Sequence, residues 1–521
     1  MLRAVELPND IESLKQLVRD RSAALEAAQA QLLSCQLEIQ ALKLQIARLR
    51  RLQFGRSSER LNTEIDQLEL KLEDLETEEA RREPASTPRV ATRAPCVRRP
   101  LPAQLPREPH VYRRASTCTC PECGGALRAV GEDVAEQLEY VPEHWKVLRH
   151  LRPKYSCTGC QQRVQAPAPS RPIARGIAGP GLLAHVLVSK YADHLPLYRQ
   201  SQIYAREGVE IERATLAEWV GAASALMEPL VDALGHYVLA AQKLHADDTP
   251  VPVLAPGTGK TKTGRLWTYV RDDQASGSTA PPAVYFRYSP DRKGEHPRAH
   301  LRDYRGILQA DGYAGFNGLY DRADHPLIEA ACWAHWRRKF FDIQQASDSP
   351  FALEALQRIG ALYEIEAQIR GQAPEERRRV REARSAPLLA DWHRRLLATV
   401  RQLSKKSELA GAIHYGLTRW DAFTQYCRDG RIEMDNNAAE RALRAVALGR
   451  KNFLFAGADC GGERAAAIYG LIGTCKLNDI DPEAFLRCVL ERIADYPINR
   501  IEELLPWHLA DALKRPDRLA A

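Results

Sequence analysis

Two Cys-x-x-Cys pairs set the tightest limit on what this chain can fold into: Cys120-Pro121-Glu122-Cys123-Gly124-Gly125 and, later, Cys157-Thr158-Gly159-Cys160. Four thiolates delivered this way close a tetrahedral structural Zn2+ site, and the glycines permit the knuckle turns. Val147, Leu148 and Tyr155 between the pairs have strand composition, so residues 109–165 are expected to form a zinc ribbon with Cys120, Cys123, Cys157 and Cys160 as ligands. Cys118 is a register rival to Cys120. The remainder of the 12 cysteines are scattered, which fits a reducing cytosol better than a disulfide framework.

At 521 residues the chain is too long for one core, and roughly three or more domains are expected. A formal charge of +7 is mildly basic and permits nucleic-acid binding without demanding it. No apolar run reaches the roughly 18 residues a membrane span requires, and the first ten residues lack a signal-peptide core. A cytoplasmic, nucleoid-associated protein is the expectation.

Between Ile11 and Leu49 apolar residues alternate at steps of three and four. One seam collects Ile11, Val18, Leu25, Leu32, Ile39 and Ile46; the other collects Leu14, Ala28, Cys35, Leu42 and Leu49, interrupted by Arg21. Such heptads imply a coiled coil and self-association over residues 1–82, with a long helix packed on its own protein as the alternative. The register breaks at Phe54-Gly55-Arg56-Ser57-Ser58 and resumes from Leu61 to Leu75. The basic run Arg48, Arg50, Arg51, Arg56 and Arg60 suits either phosphates or a solvated helical face. Residues 83–108, rich in Pro and Arg, read as an extended linker. Residues 166–235 read as helical, with Gly208 at a turn before Thr215-Leu216-Ala217-Glu218-Trp219. That pattern suits a helix-turn-helix on DNA and equally well ordinary helical packing.

The catalytic region is expected at 236–450. Gly306-Ile307-Leu308-Gln309-Ala310-Asp311-Gly312-Tyr313 is a short apolar strand stopping at a carboxylate, and Leu244-His245-Ala246-Asp247-Asp248 repeats the pattern. Further strands are expected at 265–270, 283–288 and 327–332, with a helix near 297–304, giving a mixed sheet with helices on its faces. A third acid, Glu440, falls in a segment of helical composition. Two strand-borne aspartates and a helical glutamate suit a pair of hard divalent cations that leave positions open for a phosphodiester. Residues 342–430, helical and charged, read as an insertion into this domain, and 451–521 as a C-terminal element with Gly457, Gly461 and Gly462 in a loop. Gly257-Thr258-Gly259-Lys260-Thr261 is not a P-loop, because Leu254 stands where the pattern needs glycine. Cys332-Trp333-Ala334-His335 supplies two metal ligands, too few for a closed zinc site. It reads as support for the active centre, with Arg337, Arg338 and Lys339 near DNA, or as a packed helix start with surface charges.

These residues resemble the insertion sequence 66 family of bacterial transposases. The resemblance rests on the coiled coil with Leu52-Gln53-Phe54-Gly55-Arg56-Ser57-Ser58-Glu59, the zinc ribbon, and Tyr191-Ala192-Asp193-His194-Leu195-Pro196-Leu197-Tyr198-Arg199. It continues through His245-Ala246-Asp247, Ala310-Asp311-Gly312-Tyr313, Cys332-Trp333-Ala334-His335 and Asp435-Asn436-Asn437-Ala438-Ala439-Glu440-Arg441. It implies a DDE transposase with an RNase H-like fold and two Mg2+ (or Mn2+) ions held by Asp247, Asp311 and Glu440. It implies binding to the element's terminal inverted repeats and to target DNA, and help from small accessory proteins. Asp248 stands where the family often has glutamate, so Asp247 and Asp248 compete for the first position; Asp247 matches the family aspartate. The whole is then a multidomain α+β chain. Its rivals are a metal-dependent nuclease that does not join strands and a zinc-containing DNA-binding regulator.

Overall fold

A computed structural model describes residues 101–112, 120, 122–123, 125–141, 144–255, 260–347, 349–452 and 455–514, with Lys15 and Ser22 in addition. The heptad seams, the basic run Arg48–Arg60 and most of the expected linker lie outside the described residues.

The first sheet holds β1 (Arg107–Val111), β2 (Leu127–Val141), β3 (His144–Cys157) and β4 (Arg163–Gln165). β3 is its hub: β1 runs parallel to it, while β2 and β4 run antiparallel. Strand β1 therefore begins inside the stretch that reads as linker from composition. Four helices follow, α1 (Pro180–Tyr191), α2 (Leu197–Arg206), α3 (Arg213–Leu226) and α4 (Glu228–Leu239). Helix α1 has no capping side chain of its own. Glu139 of β2, only 2% exposed, accepts instead from the amides of Gly181 (3.2 Å) and Leu182 (2.6 Å). A carboxylate meeting the exposed N–H groups of a first turn satisfies both and favours the helix dipole. Burial nevertheless raises the Glu139 pKa above the ordinary value.

The second sheet has the order β7-β6-β5-β8-β9. β5 (Lys243–Ala255), β6 (Lys260–Arg271) and β7 (Ala283–Ser289) form an antiparallel meander. β8 (Ile307–Ala310) and β9 (Ile328–Ala331) run parallel to β5, with the short helices α5 (Glu295–His300) and α6 (Asn317–Tyr320) between the later strands. All five strands stand where the apolar runs place them. β5 is longer than expected, because its pairing with β6 runs on to Ala255 after the pairing with β8 ends at His245. Pro250 and Pro252, each lacking an N–H, are tolerated there.

After β9 come α7 (Trp333–Ser347), α8 (Pro350–Ile369), α9 (Pro374–Val380), α10 (Ala386–Val400), α11 (Glu408–Leu417) and α12 (Trp420–Arg428). They pack on a second core around Trp333, Trp336, Phe340, Trp392 and Phe423, which also takes in Ile307 of β8 and Ala330 and Ala331 of β9. Trp333 Nε1 donates to Phe423 O and Trp336 Nε1 to Ala412 O, both at 2.8 Å. Arg377, from the charged run, is buried and lies 3.0 Å from Glu433. The chain then returns to the sheet as α13 (Asn437–Asn452), followed by α14 (Asp459–Leu477), α15 (Pro482–Arg492) and α16 (Pro506–Leu513).

One expectation fails in α14. Gly461 and Gly462 lie in its first turn, not in a loop. A Cβ on Gly462 would come 2.3 Å from the Tyr288 ring of β7, so glycine is there for close helix–sheet contact.

Candidate active site

Asp247 sits within β5 rather than at its end. It stands one residue beyond Ala246, just past the last rung with β8, His245↔Gln309. Asp311 directly follows β8, so parallel pairing brings the two aspartates to the same edge of the sheet. Gly306 and Gly312 flank that strand with φ of 142° and 86°, a region open to glycine. A Cβ on Gly312 would also strike the Arg419 guanidinium at 1.7 Å. Asp311 Oδ1 accepts from the Tyr313 amide (2.9 Å), and Tyr415 OH donates to the Asp311 carbonyl (2.8 Å).

Asp247 and Asp248 have different surroundings, as successive strand residues must. Asp248 is closed off by two guanidiniums, Arg265 Nη1 at 3.0 Å and Arg292 Nη2 at 2.9 Å. Arg292 in turn stacks over the Tyr313 ring, 4.0 Å from its centroid. Asp247 has no such cation. Burial, then the negative charges of Asp311, Asp248 and Glu440, push its pKa up to about 7, against a lowering by the Asp248 amide. Acids whose negative charges bear on Asp247 at this edge form an oxygen donor set suited to hard divalent ions.

Glu440 is in the first turn of α13, where Asp435 Oδ1 accepts from the Asn437 amide at 3.1 Å. Its carboxylate contributes to the field on Asp247 but leans toward α7, with Oε1 3.6 Å from His335 Nδ1. Cys332 Sγ, a ring nitrogen of His335 and a Glu440 oxygen lie within 4.8 Å of one another. Among the described residues, Asp247, Asp311 and Glu440 are not drawn together that closely. Arg337, Arg338 and Lys339 are exposed on α7, and Lys339 Nζ is 4.6 Å from the Tyr415 ring centre.

The segment entering α13 is tied to three strands or their ends. Gln309 Nε2 donates to Glu433 O (2.6 Å), the Trp333 amide to Met434 O (3.1 Å) and the Asn436 amide to Cys332 Sγ (3.2 Å). Asn436, fully buried, also joins β5. Its Nδ2 donates to Ala246 O (2.9 Å) and its Oδ1 lies 3.0 Å from His245 Nδ1. That amide orientation makes His245 the Nδ1–H tautomer, and burial holds its pKa well below the usual range. Sequence reading quoted Asn436 in a motif without a role and missed Arg265 and Arg292 altogether. The motif position beside Glu440 was the available signal for Asn436; the two arginines carried none.

Beside the first sheet, where β3 ends at Cys157, Cys120 Sγ and Cys160 Sγ are 3.4 Å apart, as are Cys123 Sγ and Cys157 Sγ, and all four fall within 4.8 Å. The Gly159 amide donates to Cys157 Sγ (3.4 Å), and amide hydrogen bonds, led by that of Cys160, draw the Cys157 thiol down to about 6. Four converging sulfurs with thiolate-stabilising amides fit a structural Zn2+.

Family comparison gives this geometry its context. The model described as "Transposase IS66 family" matches residues 175–464, more than half of the chain. The chain belongs to the IS66 transposase family. Further matches are "Transposase C of IS166 homeodomain" at 41–109, "zinc-finger binding domain of transposase IS66" at 117–161 and "IS66 C-terminal element" at 470–507. Similar proteins from Sinorhizobium fredii (strain NBRC 101917 / NGR234) include the uncharacterized protein y4hP, 46% identical, covering 93% of this chain and 91% of that protein. The uncharacterized protein y4jD is 38% identical over 97% of this chain and 98% of its own length. Membership of the IS66 family carries a DNA-binding transposase function and, with the four-cysteine cluster, a structural zinc. Among the described residues no helix is long and apolar enough to cross a membrane.

Proposed function

We propose that this IS66 family member is a DDE transposase that cuts DNA at its element's ends and joins the freed 3′ hydroxyl to target DNA. The observation that carries this reading is the buried Asp247 carboxylate, on which the charges of Asp311 and Glu440 bear, while Asp248 is ion-paired with Arg265 and Arg292. Three antiparallel strands followed by two parallel ones support an RNase H-like catalytic domain, and the mainly helical second core built between β9 and α13 supports an insertion within it.

Asp247, Asp311 and Glu440 would hold Mg2+ or Mn2+. Bound there, such ions lower the pKa of an attacking hydroxyl and neutralise charge on the phosphate. The chain's own part is to place three carboxylates rigidly, since phosphoryl transfer depends on positioning and charge neutralisation. Asn436 and His245 lock β5 to α13, and Gln309 locks β8 to the same segment. Arg292 and Arg265 pair with the Asp248 carboxylate and hold it as an ion pair. No protein nucleophile is required, and DNA affinity is assigned to basic surfaces such as Arg337, Arg338 and Lys339 and to the region of α2 and α3. Self-association through the N-terminal heptads, a cytoplasmic, nucleoid-associated location and help from accessory proteins belong to the same proposal.

The test is incubation of the purified chain with end-containing DNA and Mg2+, mapping both nicks and joined products. Joined products support the transposase; nicks alone support a nuclease; neither supports the regulator.

A further inference from the structure

We infer that Cys332, His335 and Glu440 form a second transition-metal site, distinct from the zinc ribbon, that takes Zn2+ or Co2+. As a sequence motif, Cys332-x-x-His335 offers two ligands; the fold adds a third from α13. Cys332 Sγ, a ring nitrogen of His335 and a carboxylate oxygen of Glu440 lie within 4.8 Å of one another, and His335 Nδ1 is 3.6 Å from Glu440 Oε1. The 3.6 Å pair matches the roughly 3.3 to 3.8 Å that two ligands of one tetrahedral ion keep between them, and small side-chain adjustments bring in the third.

Two further observations favour a metal over a simple ion pair. Cys332 Sγ accepts from the Asn436 amide at 3.2 Å and from the backbone N–H of His335, three residues on. Amide-to-sulfur bonds of this kind also surround Cys157 in the four-cysteine cluster; at Cys332 they only partly offset burial, which pushes the thiol up to about 12. In addition, His335 Nδ1, shielded from solvent, makes no hydrogen bond in the structure. Sulfur, imidazole nitrogen and one carboxylate oxygen form a borderline-soft set that selects Zn2+ or Co2+ over Mg2+, and three protein ligands leave a fourth position open. On binding, the sulfur–metal bond replaces the S–H bond and the proton passes to solvent.

Glu440 belongs to both this site and the acid triad. If the transposase reading above holds, an ion held by Cys332 and His335 withdraws Glu440 from Asp247 and Asp311. Zinc occupancy and Mg2+-dependent cleavage then exclude each other. This consequence rests on the proposed activity; the binding site does not.

The experiment counts metal on the full-length protein, so its result is independent of DNA cleavage. Wild type is dialysed against Zn2+ in modest excess, then against metal-free buffer, and zinc is measured by elemental analysis. Wild type should retain about two ions per chain, and His335→Ala and Glu440→Gln about one. Both altered side chains are partly exposed, at 36% and 43%, so these variants should fold, and circular dichroism checks that. Co2+ added to the wild type should give a thiolate-to-metal absorption band that Cys332→Ser lacks. Saturation of the wild type at one ion, or retention of two by His335→Ala, overturns the site. Unimpaired nicking by zinc-saturated wild type overturns its coupling to catalysis.

Discussion

His245 Nδ1 donates to Asn436 Oδ1 across 3.0 Å, joining the strand that carries Asp247 to the residue preceding the helix that carries Glu440. Both side chains are essentially buried, at 1% and 0% exposure. Asn436→Ala would leave the imidazole N–H and the Ala246 carbonyl unpaired in the core. A loss of roughly 2 to 4 kcal/mol is expected, since each unsatisfied buried group costs about 1 to 3. Urea denaturation measures it; an unchanged midpoint would show that the pair does not hold these elements together.

The two adjacent aspartates should separate by phenotype. Asp248→Asn removes the partner of Arg265 and Arg292 and should destabilise the fold by roughly 3 kcal/mol, because a broken buried pair leaves charge uncompensated. Asp247→Asn removes charge from a crowded acidic edge and should spare or raise stability while abolishing cleavage. Thermal melts and nicking assays on the pair check this, and the opposite pattern would exchange their roles.

Asp247 also sets a pH dependence. Its folded pKa of about 7 lies above the ordinary value. The stability tied to its proton is therefore complete below about pH 4 and is lost as the pH rises through about 7. Without divalent ions, Asp247→Asn should gain roughly 2 to 4 kcal/mol over wild type above pH 7, with the advantage vanishing toward pH 4. Equal pH profiles for the two proteins would remove the buried-acid account. Mg2+ affinity should rise over the same window, since bound metal displaces that proton.

Cys157→Ser should lower the zinc content by about one ion per chain. Hydrogen exchange should then quicken at the β2–β3 end near the cysteines and stay slow in β5 to β9, which share no ligand with that site. Uniform loss of protection would mean that the ribbon supports the whole chain.

How much of this was legible beforehand follows from the range of each interaction. The four-cysteine cluster was readable because its ligands come as local pairs whose spacing is itself the signal. The five strands of the second sheet were readable from apolar runs ending in turns, and Glu440 from the helical composition around it. Arg265 and Arg292 were not: Asp248 pairs with Trp267, which puts Arg265 two residues along on the same face, and Arg292 reaches in from the segment after β7. The third ligand beside Cys332 and His335 comes from a distant helix, so no local pattern could announce it. Gly461 and Gly462 misled for a related reason, since glycine marks a loop locally but here serves a tertiary contact with Tyr288.

The central claim is that Asp247, Asp311 and Glu440 act as one metal-holding unit on DNA. The most direct measurement compares wild type with Asp311→Asn on end-containing DNA with Mg2+, recording binding and nicking in the same samples. An amide keeps the size and removes the charge, whereas DNA affinity should come from basic residues elsewhere. The account predicts near-normal binding with no nicking above background. Nicking by Asp311→Asn at the wild-type rate would contradict it and place the catalytic centre elsewhere.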